Sequence, residues 1–140
     1  MPEPIVVGYD GSDCAKAALA EAISLAKTAG FRIVVAFGYH GWPGGGEVGD
    51  YRRVLEQRGH EVTEEALAAV RAGGVQGEAA VVEESPSEGL VHLAERVGAR
   101  MIVVGTRGER PLTGMILGST PHKLLHRSPV PVLVVPEGGP

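Results

Sequence analysis

One cysteine in 140 residues, Cys14, leaves no partner for an internal disulfide, so the fold must stand on packing alone, as expected in a reducing compartment. Cys14 itself stands near a helix start and reads as a small buried or surface side chain rather than a reactive thiol. Aromatic residues are sparse, at 4%, while Ala, Val, Leu and Gly abound, which suits helices on a buried aliphatic sheet better than an all-β sandwich. Long basic runs are missing and the formal charge is −4, so the electrostatic footprint that nucleic acid or an anionic membrane requires is not there. The opening Met1-Pro2-Glu3-Pro4 has no basic n-region and leads into only a short apolar run, which is neither a secretion signal nor a transmembrane segment. A cytoplasmic protein is expected.

What is present is ample apolar material, 44% of the chain, for one core, and residues 1–140 are read as a single domain. Ile5-Val6-Val7-Gly8-Tyr9 is a continuous apolar run ending in Asp10-Gly11-Ser12, a strand buried on both faces followed by a sharp turn. Ser12 can cap a helix whose stripe is Ala15, Ala18, Leu19, Ala22, Ile23 and Ala26, stopped by Gly30. Residues 32–38 form a second strand. The glycine-rich stretch 38–49, with Trp42 and Pro43, reads as a connector, because no Gly-Lys-Ser/Thr follows its three successive glycines. Residues 50–72 make an amphipathic helix ended by Gly73-Gly74, and 76–83 a third strand. Ser85-Pro86-Ser87-Glu88 has the pattern of a capping box opening a helix with Leu90, Leu93, Ala94 and Val97 inward. A buried strand over 101–104, a short helix over about 119–126 and a last strand over 130–135 complete the chain. Pro131 marks that strand as an edge, since proline donates nothing to a ladder.

Strands alternating with helices predict an α/β fold: an open, mostly parallel five-stranded sheet with helices on both faces, Rossmann-like in kind. In such sheets ligands collect beyond the carboxyl ends of the strands, where the strand order reverses. After the fourth strand the chain reads Gly105-Thr106-Arg107-Gly108, then nine residues, then Gly118-Ser119 at a helix start. Glycines let the backbone approach an anion, helix-start amides point at it, and Ser119 adds a hydroxyl for a phosphate or its metal. Between residues 105 and 128, Arg107, Arg110, Lys123 and Arg127 face one acid, Glu109, an excess of about three positive charges that suits a polyphosphate. A branched side chain at Gly118 is expected to fill the phosphate space.

With these motifs the sequence resembles the universal stress proteins, whose ATP-binding members carry Gly, two residues, Gly, nine residues, Gly and Ser or Thr. The resemblance also takes in the Asp10-Gly11-Ser12 turn, the variable loop after strand two and the final Pro129-Val130-Pro131-Val132-Leu133-Val134-Val135. It implies strand order 3-2-1-4-5, as in the adenine nucleotide alpha hydrolase-like folds, and a homodimer through the last strand, Val130 onward to Val135. It further implies that Asp10 and the backbone near Phe37 hold adenine and ribose, with Val104, Gly105, Gly108, Gly118 and Ser119 on the phosphate side. With Arg107 and Thr120 these make up the expected contact set. The implied ligand is ATP, with magnesium or manganese, or else ADP, AMP or cyclic AMP.

One departure concerns residues 119–121, Ser-Thr-Pro: Pro121 has no amide hydrogen, harmless if Thr120 is the cap and a lost phosphate donor if Ser119 is. Hydrolysis would need a positioned base near the terminal phosphate. Glu109 reads as a solvated loop charge and His122 and His126 as helix-end histidines without a third metal ligand; His40, His60 and His92 are scattered. A nucleotide-binding stress sensor is therefore the leading expectation, with a slow ATPase and an empty dimerisation module as the alternatives.

Overall fold

Nine elements alternate along the described residues. In the computed structural model, residues 2–40, 48–107 and 117–137 are described. They are β1 Pro4–Gly8, α1 Asp13–Ala29, β2 Arg32–Gly38, α2 Val48–Ala72, β3 Gly77–Val82, α3 Pro86–Val97, β4 Ile102–Gly105, α4 Ser119–Arg127 and β5 Val132–Val135. The strands form one sheet in the order β3-β2-β1-β4-β5, and every pairing is parallel. This is the expected order, and the "mostly parallel" expectation sharpens to wholly parallel.

The continuous apolar runs are explained by burial on both faces. Successive side chains of a strand point to opposite sides. Ile5, Val7 and Tyr9 of the first strand and its turn therefore enter one core, with Ala18, Leu19 and Ala22 of α1 and Ala66, Leu67 and Val70 of α2. Val6 enters the other, with Leu90, Leu93 and Ala94 of α3 and Leu124 of α4. Each Val, Leu or Ile side chain among them, fully withdrawn from water, contributes about 1.5–3 kcal/mol.

Boundaries shift where local chemistry demands it. β5 begins at Val132, two residues later than expected, because Pro131 offers only its carbonyl, which accepts from the Ile102 amide 2.9 Å away. It lies at the sheet edge, as the proline implied. The connector with Trp42 and Pro43 falls largely on residues 41–47, and Gly108, Glu109 and Arg110 on 108–116, outside the described residues. The capping box does not form. Ser85 is the N-cap of α3, yet its hydroxyl makes no cap bond and is buried without a partner, while its carbonyl accepts from the Gly89 amide at 2.8 Å. Pro86 at the first helical position already removes one of the donors that such a cap would serve.

Strands β1, β2 and β3 run outward to one side and β4 and β5 to the other. The order reverses between β1 and β4, so their carboxyl ends open the crevice where an α/β sheet receives ligands.

Candidate functional site

Two turns wall this crevice. After β1, one carboxylate oxygen of Asp10 accepts the Ser12 amide at 2.9 Å, and the Ser12 hydroxyl accepts the Ala15 amide at 3.2 Å. The aspartate thus shapes the turn and the serine caps α1, as its sequence position foretold. α1 then passes tight against the end of β4: a Cβ at Gly105 would stand 2.7 Å from the Cys14 carbonyl oxygen. Only glycine allows helix and strand to meet this closely.

The second turn follows β4. The Gly118 amide donates to the Thr106 carbonyl at 2.7 Å, tying the start of α4 to the end of β4. Gly118 is the N-cap, with extended φ −63° and ψ 166°. Both expectations for the cap are thereby corrected, for neither Ser119 nor Thr120 holds that position. Ser119 and Thr120 are the first two helical residues and Pro121 the third. The Gly118 amide is spent on Thr106, so the amides available to an anion are those of Ser119 and Thr120, which have no helical acceptor. Pro121 removes the third. A Cβ on Gly118 would meet Arg107 Cα at 3.0 Å and the Thr106 carbonyl at 3.3 Å. Bulk at 118 would therefore press on the main chain after β4, not simply occupy open phosphate space.

Between these turns lies a cavity of about 500 Å³, within the usual range for small-molecule sites. Its apolar side is Ala36, Phe37, Gly38, Pro86, Leu90 and Val104; its polar side is Asp10, Arg107, Ser119 and Thr120. Of the nine expected contact residues, Gly108 lies outside the described residues and the other eight (Asp10, Phe37, Val104, Gly105, Arg107, Gly118, Ser119 and Thr120) border this one cavity. Sequence reasoning missed Pro86 and Leu90. The sequence reads Leu90 as part of a core stripe and Pro86 as part of a cap, although a helix start just beyond the carboxyl end of β3 signals that both approach the crevice.

Charge is distributed unevenly. α4 carries no acidic residue in its first turn, so nothing there neutralises the positive end of its dipole. Arg107 is not free: its Nη2 donates to Glu137 Oε2 at 2.8 Å, and the Cys14 thiol lies 3.6 Å from the same oxygen. Tyr9, also on the cavity wall, donates its hydroxyl to Glu65 Oε1 at 3.0 Å. Burial pushes its pKa up, and the bond to Glu65, then the charges of Glu65 and Asp10, add to the rise. His122 and His126 meet edge to face with ring centroids 5.1 Å apart. Among the described residues no group of three or more His, Cys, Asp or Glu side chains converges as a metal site, and no helix is long and apolar enough to cross a membrane.

Comparison with known proteins agrees with this geometry. The Universal stress protein family model matches residues 1–136. A universal stress protein of Thermus aquaticus is 34% identical over 145 residues, covering 96% of this chain and 99% of its own length. Among solved structures, a universal stress protein in complex with cAMP is 30% identical, covers 95% of this chain and 96% of its own, and has a TM-score of 0.75. The universal stress protein from Archaeoglobus fulgidus in complex with dAMP is 27% identical over 95% of this chain and 97% of its own, with a TM-score of 0.72. A cavity at the strand-order reversal, the parallel 3-2-1-4-5 sheet and this match over nearly the whole length lead to one conclusion: the chain belongs to the universal stress protein family.

Proposed function

We propose that the protein binds an adenine nucleotide in the crevice between β1 and β4 and serves as a sensor or regulator in a stress response. The observation that carries this reading is the division of the cavity into an apolar slot and a helix start with unspent amides. The slot of Ala36, Pro86, Leu90 and Val104 suits a flat base. Asp10 stands where ribose hydroxyls would meet an acceptor, and the amides of Ser119 and Thr120 face the phosphate end. Relatives of this fold solved with cAMP and dAMP support the adenine part. Within the same reading ATP, with or without magnesium or manganese, and ADP or AMP are ligands; residues 1–140 act as one domain; the protein works in the cytoplasm; and a homodimer forms through β5.

Binding without fast turnover is the favoured form. Asp10 is the one carboxylate among the described residues lining the cavity, and one of its oxygens is engaged by the Ser12 amide. That leaves it poorly placed as a general base.

A thermal melt with millimolar ATP, ADP, AMP or cyclic AMP tests the reading. Ligand at one hundred times its dissociation constant adds about 2.7 kcal/mol of stability. The control is Ser119→Asp, which places a carboxylate on the first turn of α4. It should hold or slightly raise the melting temperature of the free protein, because an acid favours a helix N-terminus, yet cut the shift given by phosphate-bearing ligands. No shift with any of the four nucleotides in the unmodified protein would reject the reading.

A further inference from the structure

Arg107 is the one cationic side chain among the described residues that line the cavity, and it is already matched by a carboxylate of the same chain. Glu137 stands 30 residues further along the chain, two residues past β5, and its Oε2 takes both the Arg107 guanidinium at 2.8 Å and the Cys14 thiol at 3.6 Å. Cys14 is buried, and its sulfur also lies 3.8 Å from Thr106 Oγ1. The carboxylate is thus held against the start of α1 and the end of β4, bonded to the arginine that lines the cavity.

We propose that Glu137 sets the charge preference of the site, resting on the adenine-nucleotide reading above. While Glu137 holds Arg107, the pair is neutral, and the described residues of the cavity offer an incoming phosphate only dipoles: the amides of Ser119 and Thr120 and their hydroxyls. A ligand with one phosphate or none gains nearly all that the site provides. A triphosphate must either leave Arg107 to Glu137 and bear the repulsion of that carboxylate, or displace Glu137 and take the arginine. Both side chains of the pair are partly open to water, at 39% and 40% exposure. The pair is therefore weak enough to be displaced, worth about 0–1 kcal/mol, which converts to at most about fivefold in affinity.

The experiment measures dissociation constants of adenosine, AMP and ATP by calorimetric titration without divalent metal, for the unmodified protein and Glu137→Gln. ATP should bind about fivefold tighter to the variant, AMP less than that, and adenosine equally to both. Raising the salt concentration should shrink the ATP difference, because partly exposed charges are screened. Arg107→Gln completes the cycle: alone it should weaken ATP binding, because Glu137 is left unmatched, and in the Glu137→Gln background it should return ATP affinity to about that of the unmodified protein, since both members of the pair are then neutral. Equal ATP affinity in both proteins, with adenosine still bound, would overturn the role of Glu137 and leave the nucleotide reading standing. An adenosine change as large as the ATP change would also overturn it, since shape and not charge would then be at work. If none of the three ligands binds the unmodified protein, the nucleotide reading falls and this inference with it.

Discussion

Gly105 and Tyr9 show how closely single residues are fitted to this crevice. A methyl group on residue 105 would stand 2.7 Å from the Cys14 carbonyl oxygen, which is main chain within a helix and cannot turn aside. Gly105→Ala should cost about 1–3 kcal/mol in urea unfolding, the usual range for forced overpacking; a neutral outcome would mean that α1 slides freely on β4. Tyr9 makes a pH-dependent prediction. Its folded pKa is raised, so above the ordinary tyrosine value of about 10 the unfolded chain gives up this proton while the folded one keeps it. Tyr9's share of stability is full below about pH 10 and falls above it by up to about 1.4 kcal/mol per pH unit. Tyr9→Phe loses the bond to Glu65, about 0.5–1.5 kcal/mol at pH 8, but escapes the alkaline loss. Urea titrations of both proteins at pH 8 and pH 11 should show the gap narrowing or closing, and a constant gap would contradict the assignment.

At the scale of elements, two serines of the same apparent kind behave differently. Ser12 caps α1 through its hydroxyl, whereas the Ser85 hydroxyl at the start of α3 is buried and unbonded. Ser12→Ala should therefore cost about 1 kcal/mol, while Ser85→Ala should be neutral or slightly stabilising, since it removes a buried unsatisfied group. Equal costs for the two would restore the capping box that the sequence suggested. This contrast also marks what was legible. The ladder order and most of the contact residues came only with the family resemblance, whereas element types and the glycine-rich turn after β4 followed from periodicity and turn residues, because buried parallel strands and amphipathic helices are dictated by local pattern. Side-chain rotamers at the caps were not, nor was the choice of Gly118 over Ser119 as the N-cap of α4. That choice depends on the Thr106 carbonyl, a contact across 12 residues of chain that no local rule specifies. The meeting of Arg107 with Glu137 was equally hidden, since it joins residues 30 apart through the β4–β5 pairing. In the sequence Leu90 reads as core packing and Pro86 as a helix start, because a residue that lines a cavity obeys the same local pattern as one that fills a core or opens a helix.

For the whole molecule, the parallel sheet leaves β3 and β5 as its edges, and the β5 side chains are only partly buried. An edge strand of this kind is a ready template for pairing with a second copy. The proposed homodimer should sediment at twice the chain mass of 14.6 kDa, and Leu133→Lys should shift it towards monomer at micromolar concentration; a monomer before substitution would remove β5 from the account. The molecule as a whole turns on the adenine nucleotide proposed for the crevice closed by β1, β4 and the start of α4. Amide chemical shifts followed during titration of the isotope-labelled protein with AMP and ATP test it most directly. Saturable changes concentrated at Asp10, Phe37, Gly105, Ser119 and Thr120 are predicted. Amides there that stay unmoved at millimolar nucleotide, or changes confined to another face of the sheet, would contradict it.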